Sequence, residues 1–429
     1  MSELKRIDAI ARIRRGASPR PIEDSRYFGG DVGWVRIIDV TRSSRFLRRT
    51  EQYLSPLGES LSVRVKPGDL IMSICGTIGR PIMIDMQACI HDGFVQLFDL
   101  VGADASFLYY ALQHAEPAFR AMGQPGTQTN LNTLLVGRHA IFCPAESEQR
   151  RIANILSTVD ETTEQTEALI AKYQQIKAGL MQDLFTRGIT PDGHLRPTRA
   201  QAPQIYKESP FGWVPKEWNL GRLADYIGAI DSGWSPNCET RPAGPDEWGV
   251  LKTTAVVWEG YRPSENKALP EGSSLLRSIE VRTGDILITR KGPVDRVGVV
   301  AFVQETPPRL IFPDTVFRTK LLSSGAYLAP FLARALGSRA VQKFWWQRKV
   351  GLADAQVNLN HGILRATPVM VPSIREQEAI LIRLGQVDEV VETSSLLASK
   401  LRAQKHGLMH DLLTGRVRVK ATQSEEGPA

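Results

Sequence analysis

The side chains whose spacing points most directly to chemistry are arginines, and the chemistry is the binding of an anion. Arg42, Arg45, Arg48 and Arg49 lie close together just after a strand-like stretch, and few acidic residues flank them. Long cationic side chains on loops neutralise phosphates and hydrogen-bond to guanine edges. We interpret the group as a DNA contact, against the alternative of a solvated charged face.

Further cations stand at a related place in the second half of the chain. Arg290, Lys291 and Arg296 follow a Gly-Asp turn and a strand, where the first half has Arg80, and Arg262 lies somewhat earlier. Different cations at matched positions would read different base sequences. We therefore predict that all five contact DNA.

Two matched loops, 123–132 and 351–360, both contain the pattern Gln-x-Asn-Leu-Asn. The amides of Gln128 and Gln356 can pair bidentately with adenine, which makes them candidates for base readout. Because the pattern recurs in both halves, it cannot explain different specificities by itself. A structural role, in which the side chains satisfy buried backbone groups, is an equal alternative.

The sequence carries no recognisable catalytic motif. We find no phosphate-binding loop, no nucleophile elbow, no adenine methylation motif and no acidic cluster typical of a nuclease. His406 and His410 have the spacing of a zinc-binding pair, but residue 407 is Gly where a metalloprotease has Glu, so we interpret them as part of a solvated face. The four cysteines form no Cys-x-x-Cys pair. We expect no catalytic residue, no metal and no directly bound cofactor.

The elements that position these residues occur twice, at one fixed spacing along the chain. The dipeptide Glu-Gln begins at residues 148 and 376, and Gly-Leu-Met-x-Asp-Leu begins at 179 and 407. Apolar positions between these motifs recur every three or four residues, which predicts two long helices over 145–187 and 373–415. Ser147 and Ser373 are the expected N-terminal caps, and Gly188 and Gly415 the expected stops.

Most of the stability of a long helix in a protein comes from packing its apolar face, so we expect each helix to pack against the other. The predicted packing residues are Ile152, Leu156, Val159, Tyr173, Leu180, Leu184, Ile380, Leu384, Val387, Leu401, Leu408 and Leu412.

The rest of the chain divides into two bodies with short β-rich runs. The first body is predicted over 1–144 and the second over 211–372, with a linker over 188–210 and a polar tail over 416–429. One helix is expected near 107–119, and its counterpart over 327–346. The predicted fold class is α+β: two similar mixed α/β bodies, each followed by a long helix, with the helices antiparallel and related by pseudo-twofold symmetry.

Composition fits this organisation. The 429 residues are 42% hydrophobic and 23% charged, which is ordinary for globular domains, and the net charge of +7 favours an anionic partner. The first residues lack the apolar core of a signal peptide, and no apolar run approaches membrane-spanning length. We expect a soluble, cytoplasmic protein.

The ordered series of motifs resembles the specificity (S) subunit of type I restriction–modification systems. The motifs are the duplicated Gly-Asp strand, the Gln-x-Asn-Leu-Asn loop, the Glu-Gln helix start and the Gly-Leu-Met-x-Asp-Leu helix end, and they cover nearly the whole chain. The resemblance implies that each body is a target recognition domain for one half of a bipartite, asymmetric DNA site. It also implies that the helices set the gap between the half-sites.

The resemblance further implies partners. Two methyltransferase (M) subunits, which bind S-adenosylmethionine, would dock on the repeated helices, and two restriction (R) subunits can join them. The hypothesis is therefore a non-catalytic DNA-recognition subunit. Its rivals are a protein-binding adapter without DNA specificity and a nuclease with a cryptic site.

Overall fold

The computed structural model describes residues 3–122, 131–270, 277–322, 327–353 and 356–419. The chain forms two compact units: residues 1–168 with 395–429 make the first unit, and residues 169–394 make the second. In the ranges just given, no helix combines the length and apolarity needed to cross a lipid bilayer.

The first unit contains eleven strands among its described residues, together with four α-helices of its own and parts of two long ones. Its strands are β1 (Leu4–Arg6), β2 (Arg12–Arg15), β3 (Phe28–Val35), β4 (Phe46–Leu47), β5 (Gln52–Leu54), β6 (Val63–Val65), β7 (Leu70–Ser73), β8 (Pro81–Ile84), β9 (Ala88–Ile90), β10 (Phe94–Phe98) and β11 (Ala140–Phe142). Its helices are α1 (Ile37–Arg42), α2 (Pro56–Ser60), α3 (Ala105–Ala121), α4 (Thr133–Arg138) and the start of α5 (Glu146–Thr186).

Two sheets make the body of the first unit. One has the strand order β2-β10-β7-β8-β4 and the other β5-β3-β9-β6. Strand β7 is buried on both faces, because Leu70 and Met72 point to a core shared with α3, while Ile71 points to a core between the sheets. The apolar run at residues 70–73 is therefore a central strand of its sheet.

The second unit repeats this plan with different details. Its strands are β12 (Tyr206–Ser209), β13 (Gly212–Pro215), β14 (Asn219–Arg222), β15 (Ile227–Ser232), β16 (Gly249–Leu251), β17 (Val256–Val257), β18 (Gly260–Tyr261), β19 (Asn266–Ala268), β20 (Ile286–Thr289), β21 (Lys291–Gly292), β22 (Val300–Phe302), β23 (Leu310–Ile311), β24 (Val316–Leu321), β25 (Val350–Ala353), β26 (Gln356–Asn358) and β27 (Pro368–Val371). Its helices are α6 (Ala329–Leu336), α7 (Arg339–Trp346), α8 (His361–Arg365) and the start of α9 (Ile374–Leu413).

The main sheet of the second unit has the order β15-β24-β20-β22, which matches β2-β10-β7-β8 of the first unit. Strand β20 has the same two-sided burial as β7, with Ile286 and Ile288 in one core and Leu287 in another. A ribbon of β21, β26 and β25 has no counterpart among the described strands of the first unit.

The counterpart of α3 is not a single helix. The sequence predicted one helix over 327–346, but α6 ends at Leu336 and α7 begins at Arg339. Ser338 has extended backbone dihedral angles, φ −64° and ψ 149°, so it interrupts the helix and precedes α7 as its N-cap residue. The prediction of one helix was wrong, because Gly337 and Ser338 interrupt the helical hydrogen bonding between α6 and α7.

The two long helices run over Glu146–Thr186 and Ile374–Leu413, close to the predicted 145–187 and 373–415. The hydroxyl of Ser373 accepts a hydrogen bond from the Glu376 amide (3.3 Å), as expected of a cap. Ser147, in contrast, lies inside the first turn of α5, so it is not the cap. The predicted limits of the recognition bodies, 1–144 and 211–372, stay a prediction, because the compact units divide the chain inside both long helices.

Two glycines follow the long helices in the left-handed conformation, with φ +66° at Gly188 and +75° at Gly415. Residues other than glycine rarely adopt these backbone angles. The amide of Gly188 donates a hydrogen bond back to the carbonyl of Asp183 (3.3 Å). Both residues therefore serve as the predicted stops.

Within each unit the start of one long helix packs antiparallel against the end of the other. In the first unit, Ile152 and Leu156 of α5 share a core with Leu412 of α9. In the second unit, Ile380 of α9 shares a core with Leu184 of α5. The fold is α+β, as predicted.

The repeated Glu-Gln motif ties these elements together in the first unit. Gln149 accepts a hydrogen bond from the amide of Asp104 at the start of α3 (2.8 Å) and donates to the carbonyl of Pro144 (2.8 Å). Its neighbour Glu148 is hydrogen-bonded by Arg418 (2.7 Å), which follows α9, and this contact holds the pKa of the carboxyl below its usual range. The motif therefore joins the body, one helix start and the other helix end.

The second unit repeats the arrangement. Gln377 accepts from the amide of Leu328 at the start of α6 (2.9 Å). Glu376 is bonded by Arg196 (3.0 Å), from the segment after α5, and by the indole of Trp218 (3.2 Å). Because Arg196 and Glu376 are both buried, losing Arg196 would leave the Glu376 carboxylate without its ion-pair partner.

Candidate nucleic-acid interface

The predicted arginine group of the first body begins at the last residue of α1, Arg42, and brackets the edge strand β4. Arg42 is exposed and ion-paired with Glu51, and Arg48 is exposed and paired with Asp85 at 3.0 Å. Surface pairs of this kind contribute little to stability and exchange readily for another anion. Both arginines therefore remain available to phosphate.

Arg45 and Arg49 differ sharply from each other. Arg45 is half-buried: its guanidinium donates to the hydroxyl of Ser106 (2.8 Å) and lies over the rings of Phe46 (4.9 Å) and Tyr110 (5.1 Å). Arg49 is exposed, and no other described residue forms an ion pair or hydrogen bond with its side chain. The structure thus uses Arg45 in packing and leaves Arg49 free for a ligand.

Arg80 joins this group from the turn between β7 and β8. Its guanidinium donates to the carbonyl of Ser43 (3.0 Å), in the segment that carries the other arginines. The fold therefore brings Arg80 next to residues 42–49, from which it is well separated along the chain. This cationic cluster of the first body consists of Arg42, Arg48, Arg49 and Arg80.

In the second body the ribbon brings three of the predicted residues together. Lys291 of β21 pairs with Asn358 of β26, and Gln356 lies at the other end of that strand, paired with β25. Lys291 and Gln356 are both exposed. Arg290 precedes β21, and its carbonyl accepts from the amide of Leu359 (2.8 Å).

The two arginines beside the ribbon are partly engaged by the body. Arg290 donates to the Ser232 hydroxyl (3.1 Å) and lies over the ring of Phe317 (4.6 Å). Arg296 is half-buried and reaches the carbonyl of Thr253 at 3.5 Å, a weak contact. Lys291 therefore has the freest charge of the three.

Arg262 stands apart from the ribbon. It follows the β17–β18 hairpin and lies 3.6 Å from Glu259 in an exposed ion pair. Its place after that hairpin gives no direct support to a shared role with Lys291.

The Gln-x-Asn-Leu-Asn loops have at least one structural function. Asn132 caps α4 by accepting from the Leu135 amide (2.8 Å), and Asn360 caps α8 by accepting from the Ile363 amide (2.9 Å). The last Asn of each pattern is thus a helix cap, which explains its recurrence. Gln128 lies outside the described residues.

The predicted packing residues of the long helices lie on the inner side of their units. Fully buried are Ile152, Leu156, Leu184, Ile380, Leu384 and Leu412. Partly buried are Val159, Tyr173, Leu180, Val387, Leu401 and Leu408. The buried face of α9 also includes Ser394 and Ala398, so small residues are used where the second copy lacks large apolar ones.

Sequence reasoning missed a charged junction in each unit. In the first unit, Asp160 of α5 pairs with Lys405 of α9 at 2.6 Å and accepts from the Tyr110 hydroxyl of α3 (2.9 Å). In the second, Asp388 pairs with Lys177 at 2.6 Å. The two aspartates, like the two lysines, stand at the same spacing as the repeated Glu-Gln motif, and that signal could have identified them.

Over the ranges that the structure describes, no group of three or more His, Cys, Asp or Glu side chains is placed to hold a metal ion. His406 and His410 are both exposed on α9.

Known proteins resemble this chain in sequence. Residues 2–176 match the family described as type I restriction modification DNA specificity domain. The chain is 30% identical over 269 residues to the EcoEI specificity subunit of Escherichia coli, an alignment that covers 62% of this chain and 43% of that subunit. It is also 23% identical over 331 residues to the MjaVIII specificity subunit of Methanocaldococcus jannaschii, covering 74% of this chain and 71% of that one.

Solved structures share the fold. The S subunit of a type I restriction–modification system from M. genitalium superposes with a TM-score of 0.59 at 16% identity, covering 98% of this chain and 96% of that one. A chain solved in work on complex assembly and conformational transition of the type I system superposes with a TM-score of 0.54 at 15% identity, covering 96% and 98%. The fold is that of type I specificity subunits.

The sequence and the fold show the same similarity. The chain is similar in sequence and in fold to the specificity (S) subunits of type I restriction–modification systems. The chain spans less than half the length of the EcoEI subunit that it matches.

Proposed function

We propose that this chain is the non-catalytic DNA sequence-recognition subunit of a type I restriction–modification complex, with each body reading one half of a bipartite, asymmetric site. The observation that carries the proposal is a contrast between the units. Both have the same order of four strands and the same Glu-Gln joint, yet different cations follow the matched strands β7 and β20. A shared frame with different reading loops is what two unlike half-sites require.

In the first body the cationic cluster would meet the DNA. Arg49 has no competing partner among the described residues, and Arg42 and Arg48 have only exposed pairs, so phosphates can replace Glu51 and Asp85 at small cost. Arg80 is held by the Ser43 carbonyl, which fixes its direction and suits it to base readout.

In the second body the ribbon would provide the reading surface. Two-stranded ribbons fit the major groove, where lysine can bond to guanine and glutamine to adenine. Lys291 and Gln356 are exposed on this ribbon and are its candidates for base contact. Arg290 and Arg296 would contact the phosphate backbone of the DNA and so fix the position of the ribbon along it.

The repeated helices would dock two methyltransferase subunits, which carry S-adenosylmethionine and the chemistry, and two restriction subunits could join them. Leu169 and Leu397 support this part of the proposal. They occupy equivalent positions in the repeat and are both exposed, by 41% and 46%. A pair of exposed leucines at equivalent positions offers the same apolar contact twice.

The proposal is tested by long-read sequencing of adenine methylation in cells that express the cognate methyltransferase subunit, with and without this chain. We expect a methylated motif of two short half-sites around an unspecified gap, only when the chain is present. If the methyltransferase is expressed and bound to the chain but no chain-dependent motif forms, the chain is an adapter without DNA specificity. Cleavage of DNA by the purified chain alone would instead favour a nuclease.

A further inference from the structure

The turn after β20 is longer than its counterpart in the first body. Residues 73–80 connect Met72 to Pro81, which pair across β7 and β8, whereas residues 289–299 connect Ile288 to Val300, which pair across β20 and β22. The longer turn contains Lys291 and Arg296. The longer turn therefore gives the second body a different surface at this place.

Lys349, three residues after the end of α7, holds this turn at two points. The Lys349 ammonium donates hydrogen bonds to the carbonyl of Val294 (3.0 Å) and to that of Val297 (2.5 Å). The side chain is half-buried, and burial lowers the pKa of Lys349 against the opposing effect of Asp295. Its own amide bonds to the carbonyl of Trp345 (2.8 Å), so the lysine is fixed to the helix end.

Two other side chains complete the support of the turn. Gln342 of α7 donates to the carbonyl of Gly298 (2.9 Å), and the hydroxyl of Thr289 donates to the carbonyl of Arg296 (2.6 Å). Together with Lys349 they engage the carbonyls of residues 294, 296, 297 and 298. The backbone of the turn is thereby fixed, while the Arg296 guanidinium takes no part in this anchoring.

The described residues of the first body form no matching anchor of this turn. The side chains of α3 donate no hydrogen bond to the turn over 74–80, although Gly79 packs closely against Phe119 of that helix. The shorter turn is closed by its own residues, since Ser73 bonds to the carbonyls of Thr77 and Arg80. Among the described residues, a lysine anchors this turn in the second body alone.

We infer that Lys349 is a positioning residue for base readout by the second body: it fixes residues 293–298 and, through them, the placement of Lys291 and Arg296. The inference rests on the proposed function. Base recognition needs side chains held within a fraction of an ångström, so a turn that loses its anchor should still bind DNA but discriminate less. Because two protein carbonyls occupy the ammonium, Lys349 acts through the turn and not on the DNA.

The test compares methylation motifs produced by the methyltransferase complex with the unaltered chain, Lys349→Met, Lys349→Arg and Lys343→Met. Lys343 lies on α7, is exposed and has no described side-chain partner, which makes it the matched control. With Lys349→Met we expect one half-site to become degenerate, with discrimination at one or more base pairs falling about tenfold. The other half-site and the gap should be unchanged, and Lys349→Arg, which keeps the donors, should largely restore the motif.

Salt dependence of DNA binding separates positioning from direct contact. Loss of a phosphate contact would weaken all sequences alike and lower the salt slope by about one, whereas a positioning residue leaves the slope unchanged. A uniform loss of that kind, an unaltered motif with Lys349→Met, or the same degeneracy with Lys343→Met would each overturn the inference. Absence of any motif with the unaltered chain would instead overturn the proposed function.

Destabilisation is controlled by melting the complex. If Lys349→Met lowers the melting temperature by more than about 5 °C, Lys349→Gln, whose shorter and uncharged side chain cannot replace the ammonium at both carbonyls, replaces it in the same comparison. Degeneracy of one half-site with Lys349→Gln supports the inference, and an intact motif contradicts it.

Discussion

The carboxylate of Asp160 contacts one side chain from each of two other helices. It pairs with the ammonium of Lys405 of α9 at 2.6 Å and accepts a hydrogen bond from the hydroxyl of Tyr110 of α3 at 2.9 Å. One carboxylate thus links the start of α5, the end of α9 and the body helix α3. The matching carboxylate of the second unit, Asp388, takes Lys177 and Arg334. The helix partner is a lysine in both units, whereas the body partner changes from a tyrosine to an arginine.

This geometry predicts that Asp160→Asn lowers the free energy of unfolding by about 1–3 kcal/mol, because Lys405 then loses its charge partner in a setting where both side chains are less than one-fifth exposed. Urea unfolding of the full chain measures the change. Asp411→Asn is the control, since Asp411 is 44% exposed and its partner Arg416 lies 3.9 Å away. Equal effects of the two substitutions would show that the junction contributes no more than a surface pair.

The long helices were the most predictable part of the fold. Local rules sufficed for them: Ile152 and Leu156 follow helical spacing and are buried, and Gly188 and Gly415 end the helices with positive φ. The spacing of the repeat, applied to charged residues, would also have found Asp160 and its counterpart.

The candidate site was harder to predict, because it depends on contacts between residues distant in sequence. Arg45 resembled its neighbours, but its guanidinium packs on Tyr110, which lies far along the chain in another element. Lys349 anchors a turn that precedes it by several strands and helices, a contact that depends on how α7 lies beside β20. No local pattern in the sequence distinguishes these side chains from exposed cations.

The stability of the first unit should fall as the pH drops below about 6.5, the ordinary pKa of histidine. His91 is 16% exposed, its Nδ1 accepts from the Gly93 amide (2.7 Å), and its ring packs on Phe94. Burial lowers the pKa of His91 below its ordinary value, reinforced by Arg36 and Arg15 and opposed by Asp92. The unfolded chain therefore binds this proton more readily, so the contribution is complete above the ordinary value and is lost as pH falls.

Melting temperatures of the unaltered chain and His91→Gln between pH 5 and 8 test this point. The difference in slope between the two proteins is the readout, so a lower melting temperature of the variant at pH 8 does not affect the comparison. His406→Gln is the control, because His406 is exposed on α9. Identical pH profiles for all three chains would rule His91 out as the source.

Arg45 and Arg49 should respond in opposite ways to removal. Arg49→Ala is expected to leave stability unchanged and to reduce the salt slope of DNA binding by about one, because Arg49 has no described partner within the chain. Arg45→Ala should cost about 1–2 kcal/mol of stability, because it removes the stacking on Phe46 and Tyr110. Titrations of duplex DNA at several salt concentrations, with urea unfolding alongside, separate the effects. The reverse pattern would reassign the two residues.

Leu169 and Leu397 should together determine how many methyltransferase subunits bind. Each is exposed on a long helix, so Leu169→Glu and Leu397→Glu cost little folding stability but place a charge in the proposed apolar contact. Each single substitution should weaken one docking site by about tenfold or more, leaving complexes with one methyltransferase, and the double substitution should leave none. Native mass spectrometry of the mixed subunits counts them. Leu57→Glu, at an equally exposed leucine of the first body, is the control. Full complexes with the double variant would mean that the partners dock elsewhere on the helices.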